Sequence, residues 1–304
     1  MKINDIQYVR VLLTKRCNMS CSFCHQEGCA YSENDINFDL LMDTIKELYS
    51  IGYRKVKLMG GEPMLYKRII DVVDAIKNIG QDMDVSMITN GSATVDSYLD
   101  LFNHGLDRLN VSVHGWNEDY FCSNTGGSSE QWHRVKSNII ELAKKGRINK
   151  INYVLIRGKN EDDFFNLLQD VKDLKIVVDV LNLLTFPGQE DAEKYKYTFD
   201  DIEEIIKKEW KIDESVNYEN KFSLPSKRLT LHNGCVVNLK ISQLNKQKIF
   251  SACKECEFRS LCVEGIKAIR ITNDGLIQPC LLRNDNTLDL SKTDTRIVDY
   301  LLEL

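Results

Sequence analysis

A chain of 304 residues, 43% hydrophobic and 28% charged, can bury a full core and reads as a globular protein of one large unit or two smaller ones. A net charge of −5 lacks the basic field of a nucleic-acid binder, so no bulk nucleic-acid partner is expected. No run reaches the roughly 18 apolar residues of a membrane span, and Met1-Lys2-Ile3-Asn4-Asp5 holds no cleavable apolar segment, so the expectation is a cytoplasmic protein with no membrane partner.

From residue 6 to about 184 the pattern alternates. Apolar runs at 8–13, 55–59, 84–88, 108–113, 151–156 and 176–184 predict strands buried on both faces. Helix-period segments at 38–50, 66–79, 94–104, 131–145 and 161–173 lie between them, with Asp39, Asp96 and Asp163 near helix starts. Repeated β-α units force a parallel sheet with right-handed crossovers, and six strands are too few to close an eight-stranded barrel. The expected fold is therefore α/β: a partial (β/α)6 TIM-like barrel over 1–188. A small C-terminal extension follows over 189–304, with a charged helix near 198–209 and a strand-and-turn region.

Ten cysteines in a reducing compartment speak for metal ligation rather than disulfides. Seven fall into two groups: Cys17, Cys21 and Cys24, then Cys253, Cys256, Cys262 and Cys280. Three thiolates on the short loop after the first strand can hold three irons of a cubane [4Fe–4S] cluster and leave the fourth open. Zinc, with His25 as a fourth ligand, competes for this loop, although zinc ligands usually come as two separated couples. The second group can fully ligate an iron–sulfur cluster or a zinc. Ligands in parallel β/α folds gather at the C-terminal strand ends. That rim collects the first cysteine group, Met59-Gly60-Gly61-Glu62-Pro63, Thr89-Asn90-Gly91, Asn110-Val111-Ser112-Val113-His114 and Arg157-Gly158-Lys159-Asn160. Glycines at 60 and 61 let backbone approach a ligand, and the Glu62 carboxylate can accept from an ammonium group.

Cys-x3-Cys-x2-Cys after a first strand resembles the radical S-adenosylmethionine (SAM) enzymes. The resemblance implies SAM chelated on the open iron, one-electron cleavage of its sulfonium, and a 5′-deoxyadenosyl radical that takes hydrogen from a substrate. It further implies that Gly60, Gly61 and Glu62 hold the amino group of the methionine part, that Phe23 lies beside the adenine, and that Ser112 contacts SAM. Thr89 and Asn90 sit on the same rim. The spacing of Cys253, Cys256 and Cys262 through Gly275 to Cys280 resembles the SPASM and twitch extensions, which implies a second, auxiliary [4Fe–4S] cluster. A reductant such as flavodoxin or ferredoxin is then an expected partner.

Tyr8-Val9-Arg10, Thr14-Lys15-Arg16-Cys17, Cys24-His25-Gln26-Glu27-Gly28, Gly105–Ser112, Arg157–Asn160 and Arg270–Gly275 together resemble the GTP cyclase family of molybdenum-cofactor biosynthesis. Carried over, Arg10, Lys57, Lys150 and Arg270 become substrate-binding cations. Lys57 stands where that family has arginine, Ile88 where it has threonine and Ala268 where it has a second arginine. Cys262 adds an auxiliary ligand, and no Gly-Gly tail follows Leu304. These departures touch the substrate and spare the SAM machinery, so the expectation is the same initiation step on a different substrate. That substrate is a small anionic molecule, nucleotides included. Rival readings are a maturase acting on a peptide side chain, a genuine GTP cyclase, and an iron–sulfur electron carrier, which would not need Gly60–Pro63. His114 is expected to point into the barrel mouth and bond substrate or move a proton. Cys29 and Cys122 are hydrogen donors to a product radical or inert thiols, and Cys235 is a spare ligand for the second cluster. Trp116, Trp132 and Trp210 are packing residues.

Overall fold

Branched and aromatic residues at alternate positions make the strands, and apolar faces at helical spacing make the helices between them. The order is β1 (Tyr8–Leu12), α1 (Phe38–Ser50), β2 (Lys55–Met59), α2 (Ile69–Ile79), β3 (Asp84–Thr89), α3 (Val95–Asn103), β4 (Arg108–Val113), α4 (Glu118–Thr125), α5 (Ser129–Lys144) and β5 (Ile148–Leu155). Then come α6 (Glu161–Val171), β6 (Val177–Asn182), α7 (Phe199–Glu209), β7 (Ile212–Tyr218), β8 (Ser226–Leu231), β9 (Val236–Lys240), β10 (Ala268–Ile271), β11 (Leu276–Gln278), β12 (Leu288–Asp289) and α8 (Ile297–Glu303). The computed structural model describes residues 8–26, 34–185, 189–218, 226–240, 253–259, 262, 266, 268–292 and 296–303. Cys29 lies outside them.

Strands β1 to β6 pair in parallel in chain order, as repeated β-α units require. The later strands extend both edges of this sheet. β10 pairs parallel with β1 and continues antiparallel into β11 and β12, while β9 pairs parallel with β6 and continues antiparallel into β8 and β7. Among the described residues the result is one twelve-stranded sheet that does not close, an α/β partial barrel. Cys280 follows β11 and so comes to the β1 side. Cys235, between β8 and β9, lies toward the opposite edge, which overturns its reading as a spare ligand of the second group. Its thiol is buried and pushed up to about 12 by that burial, as suits an inert packing group.

The central strands are not buried on both faces. β2, β4 and β5 alternate, with Val56, Leu58, Leu109, Val111, Val113, Ile151 and Tyr153 packed in the helix-covered core. Their other positions carry Lys55, Lys57, Arg108, Asn110, Ser112, Lys150 and Asn152 on the inner face. A barrel that must receive a polar ligand has no use for a second apolar face. α4 occupies a stretch where the sequence predicts no element. Asp39, Asp96 and Asp163 lie in the first turns of α1, α3 and α6 as expected, and Asn37 and Thr94 cap the first two of these helices. Asp163 instead turns into the core, where its carboxylate accepts from Trp116 N at 2.8 Å, from Asn117 N and from the Tyr153 hydroxyl at 2.8 Å. That pins the loop after β4. No described helix is long and apolar enough to cross a membrane.

Candidate active site

The loop carrying Cys17, Cys21 and Cys24 is held from three sides. On the first, Gly61 N donates to Thr14 O at 2.7 Å and Glu62 N to Arg16 O at 2.8 Å. A Cβ on Gly60 would lie 2.4 Å from Thr14 O, and one on Gly61 would lie 2.3 Å from Arg16 O. These glycines thus allow a close approach of the chain's own backbone leading into Cys17. Below the loop, Asn18 donates to Ser92 Oγ at 2.8 Å and accepts from Asn90 Nδ2 at 2.8 Å. On the third side the end of α4 receives Ser20 N on Thr125 O at 2.7 Å and Ser22 N on Asn124 O at 3.0 Å. The Ser22 hydroxyl donates to Asn124 Oδ1 at 2.6 Å.

Glu62, 1% exposed, accepts from Thr89 Oγ1 at 2.7 Å, Asn90 N at 2.7 Å and Met64 N at 3.1 Å. Burial pushes its carboxyl up to about 7 against the pull of these donors. Its two oxygens fasten β2 to β3, and Thr89 and Asn90 are committed to the same network. Ser112 stays on the inner face of β4, with no side-chain hydrogen bond among the described residues. His114 follows one strand position further, its ring edge-on to Phe23 at 5.2 Å. Burial drives His114 down to about 4, so the imidazole is neutral near pH 7. Burial also raises the Cys17 and Cys21 thiols, Cys21 to about 12, and the thiols of this loop repel one another's charge. Three mutually repelling thiolates need a cationic group among them, which an iron–sulfur cluster supplies. Among the described residues no three His, Cys, Asp or Glu side chains converge as ligands of a single metal ion.

The predicted cations divide. Arg10 on β1 stands in register with Lys57 on β2 and with Arg270 on β10, so these three share one inner-face row. Two residues absent from the predicted set, Lys55 and Tyr8, belong with them: the Lys55 amine, the Arg10 guanidinium and the Lys57 amine lie 6.0, 5.7 and 5.1 Å from the centre of the Tyr8 ring. The signal was present in the alternation Lys55-Val56-Lys57. Lys150 is not part of this group. β3 and β4 intervene between the row and β5, and its amine pairs with Asp179 at 3.1 Å, a carboxylate shared with Lys240 at 3.2 Å. Burial raises the Asp179 carboxyl, but the two lysines outweigh it and hold the group low.

Burial, with Arg108 and Lys57 nearby, pulls the Lys55 amine down to about 8 against Asp84. The amine is charged below that value and neutral above it. Inorganic triphosphate should therefore bind about tenfold more weakly at pH 9 than at pH 7, and Lys55→Arg, which keeps its charge, should flatten that fall in titration calorimetry.

In the second cysteine group, Cys262 and Cys280 lie within electrostatic reach of each other. Burial raises the Cys280 thiol, while Leu282 N, donating at 3.4 Å, and the charge of Arg270 oppose the rise. Arg283 is bonded to both Asp285, at 2.6 Å, and Cys256. Cys253 and Cys256 share one turn, with Cys253 packed on the core. Arg270, 2% exposed, joins this group to the cationic row, because it neighbours Arg10 on one side and Cys280 on the other.

A parallel β/α partial barrel with three cysteines after its first strand and a glycine-held second loop defines a class. Residues 11–171 match the Radical SAM superfamily, and the chain belongs to it. It is an enzyme of that superfamily, whose members use SAM and a [4Fe–4S] cluster. Among curated relatives it is 29% identical over 289 residues to the probable GTP 3′,8-cyclase of Methanococcus aeolicus, covering 94% of this chain and 89% of that one. To the probable GTP 3′,8-cyclase of Archaeoglobus fulgidus it is 27% identical, over 92% and 88% of the two chains. The fold also matches Streptococcus suis SuiB bound to S-adenosylmethionine, with a TM-score of 0.65, 16% identity and coverage of 97% of this chain and 66% of SuiB. A further match is anSMEcpe with bound AdoMet and the Cp18Cys peptide, at a TM-score of 0.64, 14% identity and coverage of 98% and 80%.

Proposed function

We propose that this enzyme cleaves SAM reductively and abstracts hydrogen from a small anionic substrate of the nucleotide class. The observation that carries the substrate half is the row of Arg10, Lys57 and Arg270, with Lys55 and Tyr8 beside it, on the inner face of β1, β2 and β10. Guanidinium and ammonium groups so placed suit phosphate oxygens. The likeness to relatives named as GTP cyclases agrees with a nucleotide.

In this reading Cys17, Cys21 and Cys24 hold the first cluster and Cys253, Cys256, Cys262 and Cys280 an auxiliary one. With SAM bound, the first cluster supplies a 5′-deoxyadenosyl radical, its electron coming from a flavodoxin- or ferredoxin-type donor. Phe23 offers a flat apolar wall to the nucleoside, Ser112 a hydroxyl on the same face, and Glu62 keeps β2 and β3 in place under the methionine part. Arg270 stands in register with Arg10 and lies within electrostatic reach of Cys280, which puts the substrate between the two clusters.

Anaerobic reconstitution with dithionite and SAM should yield 5′-deoxyadenosine, and Cys21→Ala should lower it to background, a loss of about a thousandfold. Nucleoside triphosphates should raise the yield where short peptides do not. No 5′-deoxyadenosine from the wild type would sink the proposal. Stimulation by peptides alone would transfer it to a maturase.

A further inference from the structure

The cationic row does not end at Lys57. Lys57 on β2 stands in register with Ser86 on β3, and Ser86 with Arg108 on β4, so Arg270, Arg10, Lys57, Ser86 and Arg108 make one line across five strands. Ser86 is its one short member, 1% exposed, with its hydroxyl donating to Val56 O at 3.3 Å. At about 4.8 Å per strand, the Lys57 and Arg108 backbones stand about 10 Å apart, a gap that two long side chains can close over a serine. Lys55 lies one step nearer the strand starts, in register with Asp84, the one carboxylate on the inner faces of β1 to β4. The Asp84 oxygens accept from Arg108 Nη2 at 2.6 and 2.5 Å, and the Lys55 amine lies 3.9 Å from one of them. Arginine paired at full strength with a carboxylate offers two nitrogens as a fork. Here a single nitrogen serves both oxygens, and Nε and Nη1 have no partner among the described residues. Arg108 keeps 36% of its side chain exposed, which leaves those donors open to a ligand. Its charge already reaches the group, since it helps pull the Lys55 amine down.

We propose that Arg108 is a further anion-binding residue, steadied by Asp84, whose free Nε and Nη1 donors take the far end of a phosphate chain lying along the row, so that the pair selects polyphosphates over a single phosphate. The inference rests on the reading that Arg10, Lys57 and Arg270 hold the substrate's anion. A single phosphate is served by Arg10 and Lys57, and two strand spacings separate Lys57 from Arg108. A chain of two or three phosphates runs past Ser86 and meets the guanidinium. Asp84 acts on that contact in two opposite ways: it orients the guanidinium through Nη2, and its charge repels the anion that comes to the other nitrogens. The two effects can be parted, because an asparagine in its place keeps an acceptor for Nη2 and loses the charge.

The test is titration calorimetry at pH 7 and one ionic strength on the reconstituted full chain, with orthophosphate, pyrophosphate and tripolyphosphate as probes. Thermal melting first confirms that each variant is folded. The wild type should bind tripolyphosphate most tightly and orthophosphate least. Arg108→Met should weaken tripolyphosphate about tenfold and leave orthophosphate where it was, and Arg108→Lys, which keeps the charge without the fork, should recover part of that loss. Asp84→Asn should tighten tripolyphosphate about threefold, the opposite sign to Arg108→Met. If Arg108→Met does not fold, Arg108→Lys and Asp84→Asn carry the test. A role confined to the fold would move all three probes together or none of them. Tripolyphosphate affinity unchanged in Arg108→Met, an equal loss for all three anions, or a tripolyphosphate complex no tighter in Asp84→Asn would each overturn the proposal. Arg10→Met with Lys57→Met tests the reading beneath it: tripolyphosphate bound as in the wild type would place the anion elsewhere and overturn that reading, whatever Arg108 shows.

Discussion

Gly61→Ala is expected to strip the reconstituted protein of most of its iron and to lower its stability by about 3 kcal/mol. The added Cβ would fall 2.3 Å from Arg16 O and 2.5 Å from Lys15 O, and neither can swing aside as a side chain tip would. The Gly61 N to Thr14 O bond and the Glu62 N to Arg16 O bond must open together, and Arg16 directly precedes Cys17. The damage therefore passes straight into the loop that bears the three thiols. Gly146→Ala is the matching control. Its φ of +66 costs an alanine about 1–2 kcal/mol, but nothing lies within 4 Å of the new Cβ and no cysteine is near it in sequence. Iron analysis and thermal melting should separate the two variants, the first losing both metal and stability and the second stability alone. Full iron loading in Gly61→Ala would show that the two loops can part without consequence.

The role of Gly60 and Gly61 illustrates what is legible in a sequence and what is not. Two adjacent glycines after a strand announce a close approach, but not the identity of what approaches; here it is the first loop of the chain. The sheet order β1 to β6 follows from the β-α alternation, because crossover handedness leaves little choice. Where the later strands would attach does not follow. β10 joins β1 across more than 250 residues, a pairing no local pattern encodes, and it sets Arg270 beside Arg10. α4 was readable in part: Asn117 caps it by accepting from Asp119 N, and Gly126 closes it in the left-handed conformation. Its weak apolar periodicity hides it, because the helix spends Asn124 and Thr125 on the cysteine loop rather than on a hydrophobic seam. Thr89 and Asn90 show the same limit. Their place on the rim is predictable, whereas their commitment to Glu62, Tyr98 and Asn18 depends on neighbours brought together by the fold.

The double substitution Arg10→Met with Lys57→Met should lower the affinity of the protein for triphosphate at least a hundredfold. Arg10 and Lys57 are paired in register on neighbouring strands, and strands in a sheet run about 4.8 Å apart. Two unit charges at that separation repel by about 3.5 kcal/mol at an effective dielectric of 20, an upper figure because the long side chains splay. Tyr8 offsets a part of this. One ring face cannot serve Arg10, Lys55 and Lys57 at once, and each such contact is worth only about 0.5–2 kcal/mol. An anion bound along this row lowers the mutual repulsion of its cations. Removing two charged partners removes about 1.5–3 kcal/mol of binding apiece, which is the source of the hundredfold figure. Methionine fills the vacated space, so packing on the inner face persists. Thermal melting with and without triphosphate reads this: the anion should raise the melting temperature of the wild type and leave that of the double variant where it was. A double variant less stable than the wild type, yet still stabilised by triphosphate, would mean that these cations serve the fold and that the anion binds elsewhere.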